Sequence, residues 1–185
     1  MAACEGVKLQ FLLTTAIVVF GSMILTVGIT TSEWTVYNGT IIYGLWRFCN
    51  DDFDCVPIPD QFVGPGYIAC RVFMSLAIAC CILSIVLTCV YLCVPKIHHR
   101  RNEFLPILSS SLGIFAAVCI LIATIVWGTL IDFVIIDPNH SSQLGSSFYL
   151  SVVSAGFVLV GGVAGLCSML FRRCWYRGSY QLIPD

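Results

Sequence analysis

The sequence predicts a four-helix membrane bundle that carries a small extracellular antiparallel β-sheet, formed mainly by its first outer loop. Three observations lead there. First, 58% of the 185 residues are hydrophobic and 10% are charged, with a mean hydropathy of +0.94, whereas soluble domains carry about a quarter charged residues. Second, four apolar stretches, about 9–29, 72–94, 105–130 and 148–171, contain no charged residue, and a helix needs roughly 20 apolar residues to cross the hydrocarbon core. Third, most of the basic residues cluster on one side of those stretches and so set an orientation.

The first stretch follows a single base, Lys8, and is about twice as long as a signal-peptide core. It is therefore expected to remain as a span. Lys8 precedes it, Lys96, Arg100 and Arg101 separate the second and third spans, and Arg172, Arg173 and Arg177 follow the fourth, so seven of the nine bases share one side. By the positive-inside rule both termini are cytoplasmic. The chain then reads as one four-span domain, 1–185, with outer loops at 30–71 and 131–147, a cytoplasmic loop at 95–104 and a cytoplasmic tail at 172–185. Seven of the ten acids fall outside: Glu33, Asp51, Asp52, Asp54, Asp60, Asp132 and Asp137. Two N-glycosylation sequons, at Asn38 and Asn139, face the lumen in this topology.

The first outer loop is where the sheet is expected. Asn38-Gly39 lies between two runs rich in β-formers, 34–37 and 40–43, and Asn-Gly suits the positive φ values of a tight primed hairpin turn. The aromatics Trp34, Tyr37, Tyr43, Trp46 and Phe48 can sit at the membrane–water boundary and pin the sheet to the bundle. The alternative is a solvated loop with scattered aromatics. Cys49 and Cys55 face an oxidising compartment, where closely spaced thiols pair. The alternative, metal held by these thiols with Asp51, Asp52 and Asp54, has no outer histidine nearby to complete it. Cys70, beside Arg71 at a helix start, is expected to stay free.

Trp34, then Gly44-Leu45-Trp46, then Cys49 and Cys55, in the first outer loop of a four-span chain, resembles the claudin signature. The likeness extends through Arg71 at the start of the second span, Asp132-Phe133 after the third, and Leu144-Gly145 with Phe148-Tyr149 entering the fourth, from about Trp34 to Gly165. The spacings from Trp34 to Gly44 and between the cysteines are shorter than in typical claudins. The sequon beside Trp34 is more like the related peripheral myelin and epithelial membrane proteins, and calcium-channel gamma subunits share the broad motif. The resemblance implies a claudin-like cell–cell junction protein of the plasma membrane. Such a protein self-assembles in cis and trans, with itself and with related proteins, to adhere cells and to form a paracellular barrier or charge-selective pore. The alternative it leaves open is an auxiliary subunit of a voltage-gated channel, or a myelin-type membrane organiser.

Enzyme chemistry is not expected. His98 and His99 are cytoplasmic and His140 is solitary, and no intramembrane acid, base or metal pair appears, although such residues mark proton and ion pathways within a bundle. No cofactor, metal or nucleic acid is anticipated; the non-protein partner is membrane lipid. Asp51, Asp52, Asp54 and Asp60 form a local acidic excess near Arg47 that could favour cations in a narrow intercellular space, or else belong to a screened, solvated turn. Phe133 to Ile136 gives the second loop an apolar run for contact through Asp132 and Phe133; the alternative is the frayed end of the third helix. Juxtamembrane Cys93 and Cys174 are palmitoylation candidates. Tyr180 and Ile183 fit a tyrosine-based endocytic pattern, and the ending Leu182-Ile183-Pro184-Asp185 argues against docking on a PDZ scaffold. Ser109, Ser110, Ser111, Thr14 and Thr15 are read as helix-packing groups, as is the Gly161/Gly165 pair, which lets backbones approach within the bundle.

Overall fold

All four apolar stretches form helices, and each helix begins before the boundary that hydropathy suggests, with α1, α3 and α4 also ending beyond it. A computed structural model describes residues 2–37, 40–50, 54–59, 63–93, 104–134 and 142–180, with side chains described for 9–129 and 142–171 of these. Helix α1 spans Ala2–Thr30, α2 Pro65–Cys93, α3 Phe104–Val134 and α4 Ser146–Tyr180. Each contains a segment long and apolar enough to span a bilayer, and the chain is a multi-pass membrane protein.

The extensions have local causes. Helix α2 opens at Pro65, whose fixed φ and missing N–H suit a first helical position, and Ile68 N–H donates back to Gly64 O at 3.2 Å. The expected start at residue 72 is therefore about two turns late, and Arg71, thought to flank the span, lies inside the helix. Helix α3 continues through Asp132 and Phe133 to Val134, because no glycine or proline interrupts the chain between Thr129 and Pro138. The first half of the anticipated second-loop contact run is thus helix. Helix α4 carries nine residues of the expected cytoplasmic tail, as far as Tyr180.

Between α1 and α2 lie four short strands, β1 (Thr35–Tyr37), β2 (Ile41–Tyr43), β3 (Arg47–Cys49) and β4 (Cys55–Pro57); a fifth, β5 (Ser142–Leu144), precedes α4. They form one antiparallel sheet in the order β4-β3-β2-β1-β5. The register opposes Tyr37 to Ile41, and Thr40 N–H donates to Tyr37 O at 3.1 Å. Three residues therefore join β1 to β2, where the Asn-Gly signal suggests two; Asn38 and Gly39 themselves lie outside the described residues. Directly opposed residues share a face, so Leu144, Thr35, Tyr43, Phe48 and Val56 form one row across the sheet. That row is buried at Thr35 and exposed at Val56.

The helices pack chiefly as α1 on α4, α4 on α3 and α3 on α2, with α1 and α2 sharing a smaller interface. The core runs from Leu25 and Ile29 through Met74, Ala77, Ala116, Ile120 and Ala123 to Val158, and its sheet end is closed by Trp34, Leu45 and Trp127.

Candidate functional site: the junction of sheet and bundle

The junction is built around Trp34. This side chain is fully buried, its indole N–H donates to Gly28 O at 2.8 Å, and its ring meets Trp127 edge-on at 5.2 Å and Phe148 at 6.3 Å. Its aromatic character suggests a boundary anchor; the structure makes it a plug between α1, α3 and α4. The reason is geometric: the α1–β1 connection is only four residues long, which brings its indole over the end of the bundle. Trp127 N–H in turn donates to Thr35 Oγ1 at 3.1 Å, joining α3 to the first strand. Trp34 main-chain N–H bonds Tyr43 O at 3.0 Å, and its carbonyl accepts from Gly145 N–H at 2.9 Å.

The segment Gly44-Leu45-Trp46 is held by α2. Arg71 Nε donates to Leu45 O at 2.8 Å, and the Tyr67 hydroxyl donates to Gly44 O. Tyr67 and Arg71 are four apart and so share a helix face. Arg71's guanidinium lies 4.9 Å from the Tyr67 ring centroid and 5.0 Å from that of Trp46. At these distances the ring quadrupoles attract the cation, by about 0.5–2 kcal/mol depending on desolvation. Leu45 is fully buried beneath this clamp, whereas Trp46 remains 43% exposed. Gly44 permits a close approach to the α1–β1 connection: a Cβ there would meet Ser32 Cα at 2.7 Å and Ser32 O at 2.9 Å, so any larger residue would push the turn off that connection.

A third set of contacts ties the α1–β1 turn to α4. Ser146 Oγ donates to Glu33 Oε2 at 2.5 Å, Ser147 N–H donates to Glu33 O at 3.1 Å, and Thr31 Oγ1 and Ser147 Oγ are 2.7 Å apart. A Cβ on Gly145 would overlap Glu33 O, so the chain can enter α4 here only without a side chain.

At the far side of the sheet, Cys49 and Cys55 form a disulfide joining β3 to β4. Cys70 is unpaired and buried, its Sγ 3.4 Å from Ala123 O. The structure therefore brings Trp34, Gly44, Leu45, Trp46 and Arg71 together, and keeps the cystine at the opposite end of the sheet. Asp54 lies beside Cys55 on the exposed margin; Asp51, Asp52, Asp60, Asn38, Asn139 and Ile183 lie outside the described residues. Asp132 and Phe133 belong to the last turn of α3, and Cys174 and Tyr180 to α4, with their side chains outside the described set. Cys93 is exposed at the end of α2, as is Cys89 one turn earlier.

Tyr67, Trp127, Gly28 and Glu33 act in this junction without having been singled out in the sequence. For Tyr67 a signal existed, its i, i+4 spacing to Arg71; for Gly28 none did, since its role is a main-chain carbonyl. Among the described residues no cluster of three or more metal-ligating side chains occurs.

Fold and junction together define a multi-pass membrane protein whose loop sheet is locked to the end of a four-helix bundle. A model of the PMP-22/EMP/MP20/Claudin family matches residues 5–164, and the chain belongs to that family. A search of curated proteins found no match.

Proposed function

We propose that the chain is a claudin-like, non-enzymatic cell–cell junction protein. It lies in the plasma membrane with both termini cytoplasmic, and assembles with its own copies in cis and trans to adhere cells and restrict the space between them. The observation that carries this reading is the sheet's fixed mounting. Trp34, Arg71 and Tyr67 hold its inner half rigidly, while β4, with Cys55, Val56 and Pro57 all exposed, forms its outer margin. A rigid platform with an accessible strand edge suits contact with a neighbour. The orientation rests on the distribution of Lys and Arg. In this topology Asn38 and Asn139 are glycosylation acceptors, while Cys93 and Cys174 carry palmitate beside the cytoplasmic face. Asp132 and Phe133 supply contact from the end of α3, and Tyr180 with Ile183 directs internalisation.

Expression in junction-free cells, followed by freeze-fracture imaging and conductance across a monolayer, tests the proposal. Particle strands at cell borders with lowered conductance are the expected result. Diffuse particles and unchanged conductance, at normal surface level, would remove it in favour of the membrane-organiser reading. Co-purification with a large channel and altered gating would point instead to an auxiliary subunit. For charge selectivity, the acids around the cystine are expected to favour cations. An Asp51→Asn, Asp52→Asn, Asp54→Asn variant should move dilution potentials toward anions; an unmoved potential leaves barrier and adhesion without selective conduction.

A further inference from the structure

A second feature lies in the other half of the bundle and is independent of any sealing role. Six hydroxyl side chains from three helices converge there: Thr14 and Thr15 of α1, Ser84 and Thr88 of α2, Ser109 and Ser110 of α3. They line a partly open cavity of about 20 Å³, which α4 borders with Gly161 and Gly162. On one wall the hydroxyls bond the facing helix and one another: Ser84 Oγ donates to the Ser109 carbonyl at 2.8 Å, Ser109 Oγ donates to the Ser84 carbonyl at 2.8 Å, and Thr88 Oγ1 is 2.6 Å from Ser109 Oγ. On another, Thr14 and Thr15 both donate to Phe11 O, at 3.0 and 2.7 Å.

We propose that this cavity is a binding site for one water molecule, which bridges α1, α2 and α3 inside the membrane. Size fits the occupant, because about 10–15 Å³ of such volume holds one water and the space here is about 20 Å³. Chemistry agrees: a hydroxyl that donates once keeps acceptor capacity, so a threonine of α1 and Ser84 or Thr88 of α2 can each accept one of the water's protons, and, with the protons of Ser84 and Ser109 given to each other's carbonyls, Ser110 of α3 is the donor to it. A cavity of this size lined by alkyl groups alone would stay dry. The glycines are part of the site as well. A Cβ on Gly161 would come within 2.6 Å of Val18 Cγ2, and one on Gly162 within 3.0 Å of Ile114 Cγ1 and 3.1 Å of Ser110 O, so their hydrogens let α4 approach α1 and α3 closely beside the cavity.

Radiolytic hydroxyl footprinting of the full chain in lipid nanodiscs tests this, since radicals formed from a bound water oxidise side chains that touch it. Phe11, which lines the cavity, is the reporter, and Phe20 and Phe157, which pack on each other and are exposed toward lipid, are the dry controls. Phe11 is expected to be oxidised at least about fivefold faster than either control. A Ser84→Ala, Ser109→Ala, Ser110→Ala variant should bring Phe11 down to the control rate, with helical circular dichroism and the Cys49–Cys55 disulfide unchanged. Wild-type Phe11 labelling no faster than Phe20 would overturn the proposal regardless of how the variant folds. So would labelling that is fast but unaffected in a folded variant.

Discussion

The two ends of the bundle are held by different chemistry. At the sheet end, large groups interlock: an aromatic series from Phe148 through Trp34 and Trp127 to Tyr67 continues to Trp46 by way of the Arg71 guanidinium. At the other end one ring pair, Phe11 and Tyr91 at 5.7 Å, is accompanied by small groups that join the helices, through Ser84, Thr88 and Ser109 and through Gly161 and Gly162 against α1 and α3. The contrast follows from the solvent. Where the sheet meets the helices, burying indole removes surface from water and gains the full hydrophobic contribution. Deep in lipid the surroundings are as apolar as the side chains, so helices associate through close packing and hydroxyl bonds, each worth little.

The largest effect is expected from Trp34→Ala, which removes the plug and its bond to Gly28 O. A loss of about 3–5 kcal/mol is typical of a buried tryptophan, and should appear as a lowered midpoint in detergent-micelle unfolding together with retention inside the cell. Next comes Arg71→Lys, which keeps the charge but loses the planar donor to Leu45 O. It should cost about 2 kcal/mol, in the range for a bond to a charged group, and should increase proteolysis within the sheet more than in the helices.

Gly161→Ala and Gly156→Ala form a matched pair in α4. The first places a methyl 2.6 Å from Val18 Cγ2 and is expected to destabilise by about 1–2 kcal/mol. The second meets nothing within 4 Å and should be neutral or slightly stabilising; equal losses for the two would show that α4 packs on α1 by another face. The smallest effect belongs to Ser84→Ala, about 0.6 kcal/mol by analogy with intramembrane hydroxyl bonds, read from the same unfolding midpoint. A loss there as large as that from Trp34→Ala would erase the distinction between the two ends.

What the sequence by itself determined is whatever depends on local pattern. Four uncharged apolar stretches require helices because lipid offers no partner for an exposed peptide group. The β-rich runs on either side of Asn38-Gly39 require a hairpin, and two cysteines six residues apart can pair within one short segment. What only the tertiary structure decided is how distant residues use one another. Hydropathy stops at a charge, so it placed Arg71 outside the second span, although Pro65 had already begun the helix and Leu45 O, 26 residues away, gave the arginine its acceptor. Trp34 read as a boundary residue because its aromatic character was visible and its acceptor, the main-chain oxygen of Gly28, was not. The hydroxyl-lined cavity was equally hidden: Thr14, Thr15, Ser109 and Ser110 read singly as packing groups, Ser84 and Thr88 carry no signal of their own, and only the crossing of the helices brings the six around one space.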